Sequence, residues 1–403
     1  MALTINSQPS SAASMHSDLF FVVSSTNTGQ TNFKYVADVY IGGNLVTRLK
    51  YYPQPSSLKA IINVGNVVRN YWASYFKPAI SSPTAFSYVG SDIYVDYTVK
   101  FGEEYGGVTY TNLEEVESTA YNYYPDYFRS GVSGGYFGDG ALSSLYGSFI
   151  TNRDKLQLLF DKNKLATQRM FVPYLASEVN TDVDVKLQVY VRQGSTLTTY
   201  TGAEITDKDF FLFDISPAAL NTYLGTSAIN SNTTSYDVEV FEDNVERDFV
   251  RVTLDCFPKT ESFNLHFLNS LGGYDTMLFP LANRQSRVGE RKAYSTAEYA
   301  LNTSTNVVER KNQYGVMYGG AVNFWVEQNM SYKLTSNWVN ERDYNWLKEL
   351  IYSPEVYMEV VSNTFIPVTI TDSGWTEKKN YLDKTFNLEL NVQLASKVNS
   401  QFR

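Results

Sequence analysis

The chain has 403 residues, of which 43% are hydrophobic, 15% aromatic and only 19% charged. That balance excludes an intrinsically disordered protein and predicts two or three folded domains. A net charge of −9 disfavours nucleic acid as a primary ligand, one cysteine excludes an internal disulfide, and no apolar run is long enough for a membrane-spanning helix.

Residues 1–17 are rich in Ser and Ala and lack both a basic segment and an apolar stretch. They do not have the form of a secretory leader, so synthesis in a cytoplasm is expected. The segment reads as a flexible N-terminal arm that orders against a partner.

From residue 18 onward the dominant signal is period two. Ile93, Val95, Tyr97, Val99 and Phe101 alternate with polar residues, as do Val183, Val185, Leu187, Val189 and Val191. Such runs place apolar side chains on one sheet face and polar ones on the other, as half-buried antiparallel strands require. The fold class is therefore mainly β. The 32 Tyr fit this pattern, since each buries a ring and keeps a polar handle for strands or protein contacts.

A weak internal repeat accompanies the strands. Val39-Tyr40-Ile41 precedes the turn Gly42-Gly43-Asn44, a strand around Tyr51, the run Ile61–Val64, and a helix bearing Val68, Tyr71, Trp72 and Tyr75 on one stripe. About 150 residues later Val189-Tyr190-Val191 precedes Gly194, then Phe211–Asp214, then a helix with Leu220, Tyr223 and Leu224. Ser216 is placed to cap that helix and Pro217 to open it. Two related antiparallel β-sandwich modules follow, at 18–180 and 181–280.

Within the first module, residues 111–148 show no clear periodicity. Tyr121, Tyr123, Tyr124, Tyr127, Tyr136 and Tyr146 are interleaved there with six glycines. That is the composition of adaptable recognition loops, so the stretch reads as a partner-contacting insertion or an ordered Ω-like loop. Cys256 closes the alternating run Val250, Val252, Leu254 and reads as a small buried hydrophobe.

Residues 281–403 read as a C-terminal α+β domain. Arg284, Arg287, Arg291 and Lys292 form a basic cluster, taken as a solvated linker, with docking on an acidic neighbour as the sharper reading. Asn340 is placed to cap a helix through Tyr352 whose apolar face is Tyr344, Leu347, Leu350 and Ile351. Strands follow at Val356–Val361, Phe365–Ile370 and Thr385–Leu394.

Chemistry is sparse. His16 and His266 stand about 250 residues apart, and with one Cys they offer no zinc constellation and no nucleophilic triad. The Gly-rich run 134–140 neither follows a strand nor opens a helix, as a nucleotide loop must. Glu103-Glu104, Glu114-Glu115 and Asp182/Asp184 are the only carboxylate pairs worth weighing for glycoside hydrolysis, and the last pair lies on the polar face of a strand. No catalytic residue, metal ligand or cofactor is expected.

Two stretches carry a resemblance. Phe263–Asp275, with its core Leu268-Asn269-Ser270-Leu271-Gly272-Gly273-Tyr274-Asp275, resembles a hairpin of structural proteins from tailed bacteriophages of Bacteroidetes, including crAss-like phages. Ser353–Tyr357, Ile366–Asp372, Glu377–Lys379 and Asp383–Leu390 continue the pattern, and Val39–Trp72 and Ile150-Thr151-Asn152-Arg153 fit it more loosely. Gly272 and Gly273 then serve as a structural turn, and Pro367 as an edge-strand residue. The Tyr-rich stretch departs from the family pattern.

The resemblance implies a non-enzymatic virion component of the tail, neck or tail hub. It implies partners in the particle (portal, adaptor or tail proteins) and a closed ring of roughly six or twelve copies held by head-to-tail contacts. The alternative is a receptor- or carbohydrate-binding tail protein with the Tyr-rich loop as its sugar platform.

Overall fold

The structure of the chain, a computed structural model, describes residues 3–9, 13–16, 18–71, 86–88, 94–122, 147–176, 183–205, 210–257, 261–281, 283–317, 319–361, 364–372, 374–375, 386–396 and 398–402. It is mainly β, with several antiparallel sheets and short helices. The chain divides into two compact units. One comprises Met1–Cys256, His266–Met277 and Tyr352–Pro354; the other comprises Phe257–Leu265, Leu278–Ile351 and Glu355–Arg403.

The first unit opens with β1 (Leu3–Ser7), β2 (Ala13–Ser14), β3 (Phe20–Ser25), β4 (Lys34–Ile41), β5 (Asn44–Tyr51) and β6 (Ala60–Asn63). After these come α1 (Gly65–Tyr71), β7 (Phe86–Tyr88), β8 (Tyr94–Tyr105) and β9 (Val108–Tyr121). A three-stranded sheet, β1-β3-β6, and a five-stranded one, β2-β9-β8-β4-β5, share one core. That core is built from the alternate residues of each strand, including Phe21, Tyr35, Val39, Ile62, Val99 and Phe101. The Phe21 and Phe101 rings meet across it at 5.2 Å. Two sheets enclosing one set of inward side chains make a β-sandwich.

The second sandwich repeats the plan. Its elements are β10 (Ser148–Phe149), β11 (Leu158–Asp161), β12 (Phe171–Leu175), β13 (Val185–Gln193), β14 (Thr196–Thr201), β15 (Phe210–Asp214), α2 (Pro217–Leu224), β16 (Ser235–Glu242) and β17 (Val245–Asp255). Its sheets run β10-β12-β15 and β11-β17-β16-β13-β14, the same strand orders as in the first. Both five-stranded sheets even begin with a parallel pair, β2 with β9 and β11 with β17. Val39 faces Val99 in the first sandwich, and Val189 faces Val238 in the second. The weak repeat in the sequence is thus a complete topological duplication. One departure among the described residues is β7, which adds to the outer edge of β15.

Four expectations are corrected within this unit. Described residues of the N-terminal arm are built into the first sandwich: Leu3 is buried, β1 pairs with β3, and Met15 is fully enclosed. The boundary between modules lies earlier than residue 180, because β10–β12 belong to the second core. Cys256 is exposed, because β17 ends at Asp255 and the alternation stops with it. Ser216 stands at the start of α2 without a side-chain cap bond, and its own N–H donates instead to Asp214 Oδ1.

The remaining elements are β18 (Phe263–Leu268), β19 (Tyr274–Phe279), β20 (Arg284–Thr296), β21 (Tyr299–Asn302), β22 (Val307–Arg310), β23 (Asn312–Gln313), β24 (Val316–Met317) and β25 (Gly320–Thr335). Then follow α3 (Glu341–Trp346), α4 (Lys348–Tyr352), β26 (Val356–Val361), β27 (Thr364–Ile370), β28 (Glu389–Leu394) and β29 (Val398–Phe402). The main sheet runs β19-β18-β26-β27-β28-β25-β20, and β29 also pairs with β25.

In the second unit, Asn340 caps α3 by accepting the Asp343 N–H at 2.7 Å. The helix predicted through Tyr352 is broken at Leu347 into α3 and α4. Tyr344, Leu347 and Leu350 are buried as predicted, and the Tyr344 ring lies 5.6 Å from Phe386. Pro367 is corrected from an edge position, since β27 lies between β26 and β28. It is tolerated there because pairing with β28 begins one residue later, at Val368.

Candidate interaction surface

Arg284, Arg287, Arg291 and Lys292 do not form a linker; they lie on β20, one side of a long hairpin spanning residues 284–335. At its base, β25 is flanked by β28 over Ser331–Thr335 and by β29 over Trp325–Gln328. Beyond that the ribbon has only two strands and ends in the small hairpins β21–β22 and β23–β24. Strand-forming Val, Tyr and Thr build it, and a two-residue turn at Tyr314-Gly315, both at positive φ, closes the last hairpin.

Its burial sets this arm apart. Every residue from Arg284 to Ser295 is exposed. Val288, Tyr299, Leu301, Val308, Tyr314 and Met317 are all more than half exposed, Tyr314 at 94%. Over Arg284–Ser295 no alternate face turns to a core, which is why no period-two apolar pattern marked that strand in the sequence. A two-stranded ribbon is marginal in water by itself, and clustered exposed apolar side chains mark interaction sites. The arm supplies both.

Its charge is also distinctive. Seven Lys and Arg stand against four Glu in 284–335, while the whole chain carries −9. Arg284, Arg287 and Arg291 make no ion pair among the described residues. Lys292 stacks over the Trp325 ring at 4.4 Å.

The predicted turn residues occupy a different place. Gly272 has a φ of +92°, and a Cβ there would stand 1.8 Å from the Asn122 carbonyl oxygen. A Cβ on Gly273 would meet Pro173 at 2.3 Å. Asn269 organises the turn: its Oδ1 accepts from the Leu271 and Gly273 N–H groups, and its Nδ2 donates to the Ile150 carbonyl at 2.9 Å. Thr151 Oγ1 donates to Asp275, Asn152 Nδ2 to Ser270, and Arg153 to the Thr276 carbonyl. Two of the segments that carry the resemblance, the looser Ile150–Arg153 and the turn at Asn269–Asp275, therefore form with Thr276 one hydrogen-bonded joint. The joint is structural: the polar groups named are occupied within the turn or by the other stretch.

Tyr121, expected at a partner contact, is 6% exposed on β9, with its carbonyl accepting the Met15 N–H. β9 also takes residues 111–121 out of the expected loop. Tyr123, Tyr124, Tyr127, Tyr136 and Tyr146 lie outside the described residues, and the glycan-platform reading lies there with them.

The carboxylate pairs do not converge. Adjacent residues on a strand face opposite ways, so Glu103 is buried against Asn27 while Glu104 points outward between Lys34 and Lys50. The two lysines hold the Glu104 carboxyl down at about 2. The position equivalent to Glu103 in the second sandwich is Glu242, buried beneath the Tyr174 hydroxyl and Arg247. Burial, and then the Glu242 charge, push the Tyr174 hydroxyl well above its ordinary range. Asp184 is exposed, and Asp182 lies outside the described residues.

His266 is buried, its Nδ1 2.9 Å from the Thr276 hydroxyl and its ring edge-on to Phe171. His16 contacts Asn122 Oδ1 at 2.6 Å, and burial lowers its pKa. Among the described residues no three metal-ligating side chains cluster, and no helix is long and apolar enough to cross a membrane. No protein-family model matches the chain, and no curated protein matches it in sequence.

Proposed function

We propose that this chain is a non-enzymatic structural subunit of a tailed-bacteriophage virion, placed in the tail, neck or tail hub and assembled with itself and with other particle proteins. The observation that carries the reading is the outer part of the arm within residues 284–335, a two-stranded ribbon that leaves large apolar side chains in water. A chain gains little by keeping such an arm unless assembly covers it. Two further features support the reading. The first unit holds a duplicated sandwich, and two of the phage-like motifs, Ile150–Arg153 and the turn at Asn269–Asp275, are hydrogen-bonded to each other. The virion assignment itself rests on the sequence resemblance.

The test is the protein content of purified particles. The expected result is this chain at a fixed stoichiometric ratio to the portal. Finding it only free in the lysate refutes the assignment.

A further inference from the structure

Two long strands that the described chain leaves unpaired along one side, β20 and most of β9, carry opposite charge. On β20, the regular stretch Arg284–Lys292 runs up to a bulge at Lys292/Ala293, and its only described partner is β25 on one side. It holds Arg284, Arg287, Arg291 and Lys292 against Glu290, a net charge of +3. On β9, only Ala120 and Tyr121 pair with β2 on the side away from β8. Its regular stretch Glu114–Thr119 starts after the irregularity around Asn112, whose φ is +58°, and holds Glu114, Glu115 and Glu117, a net charge of −3.

Long unpaired edges are templates for strand addition, and folded proteins ordinarily shorten, cover or charge them. Here both edges are charged. Lys and Arg along β20 repel a second β20, and Glu along β9 repels a second β9. Symmetric, twofold pairing of either edge with its own copy therefore sets like charges opposite one another, which is unfavourable across a strand pair. Pairing β20 with β9 sets opposite charges together. Of the acidic side chains, Glu115 already has a partner, Lys100 at 3.3 Å, and Glu117 lies on the same outward face two residues on.

We propose that the β20 edge of one copy adds as a strand to the Glu114–Thr119 edge of β9 in the next copy. The contact uses two different surfaces, so it is heterologous and propagates head to tail, into a ring or a filament. Backbone hydrogen bonds along the shared edge supply affinity, and the charges reject the two self-pairings. The inference deepens the structural-subunit reading and rests on it, naming the partner as a second copy of this chain and the surfaces as these two edges.

The experiment is a charge-swap mixing assay on the full chain at low salt, read by sedimentation. One variant carries Arg287→Glu and Arg291→Glu, the other Glu115→Lys and Glu117→Lys. All four side chains lie on outward or exposed positions, and circular dichroism checks that each variant folds. Wild-type chain is expected to self-associate, more weakly as salt rises. Each variant alone should associate at least about 100-fold more weakly, because like charges then face each other at every contact. Mixing the two should restore association, since each variant's β20 then meets a complementary β9. Amide exchange should slow in 284–292 and in 114–119 on assembly.

A monomeric wild-type chain at high concentration and low salt overturns the proposal. So does a mixture that fails to recover, or protection that appears at other strands. Each of these leaves the particle-content test of the broader reading untouched, and that test can fail with this one succeeding.

Discussion

Asn269 offers the sharpest test of the joint between Ile150–Arg153 and the β18–β19 turn. The side chain is 1% exposed and makes three hydrogen bonds, two accepted from Leu271 and Gly273 and one donated to Ile150. At about 1 kcal/mol net for each bond, Asn269→Ala removes about 3 kcal/mol. The Gly273 amide and Ile150 carbonyl are then left buried without this partner, which raises the cost toward about 5 kcal/mol where water cannot enter. A loss of about 3 kcal/mol corresponds to roughly a 150-fold rise in opening. The assay is native-state amide exchange over Ile150–Arg153 and Leu271–Tyr274, which reads local opening directly and suits a chain of two units. Asn302→Ala, at an exposed turn of the arm where Asn302 bonds Glu309, is the control and should change little. Exchange in Asn269→Ala within about twofold of wild type would refute the reasoning that this side chain holds the joint.

Three further outcomes are expected. Arg169 and Asp214 form a buried pair at 2.8 Å, with side chains 5% and 4% exposed, so Arg169→Ala should cost about 3–5 kcal/mol in urea unfolding by removing the cation from a buried carboxylate. Adding Asp214→Asn, which keeps an acceptor for the Ser216 N–H, to an Arg169→Met chain should recover most of that loss. His16 has its folded pKa lowered by burial, so the unfolded chain takes up the proton first as pH falls below about 6.5; stability is full above that point and declines below it. Thermal melts between about pH 7.5 and pH 5.5 should show this decline, and His16→Gln should flatten it. Cys256 should react with Ellman's reagent in the native protein at a rate near that of the denatured chain, and a slow native reaction would contradict its exposure.

Much of the fold was legible in the residues. Runs such as Val183–Val191 and Phe386–Leu394 set strand, face and buried side from the alternation alone, because a pleated strand must send successive side chains to opposite faces. Asn340 marked its helix start for a similarly local reason. The repeat around Val39 and Val189 was visible, but its extent was not. That the parallel pair β2–β9 has a counterpart in β11–β17 depends on which distant strands meet, and pairing partners leave no local mark. Cys256 was misplaced by one step of alternation past the end of a strand.

What the sequence by itself determined is the mainly-β class, the duplicated module, and the scarcity of His and Cys, each a matter of local pattern or composition. Only the tertiary structure decided that the basic cluster Arg284–Lys292 is an edge strand on an exposed arm, that Glu114–Thr119 is a second open edge, and that Ile150–Arg153 locks onto the Asn269 turn. The physical reason is the same in all three cases. Whether a strand's outer amides are paired, and whether its apolar side chains are covered, depends on residues distant in the chain or on another molecule.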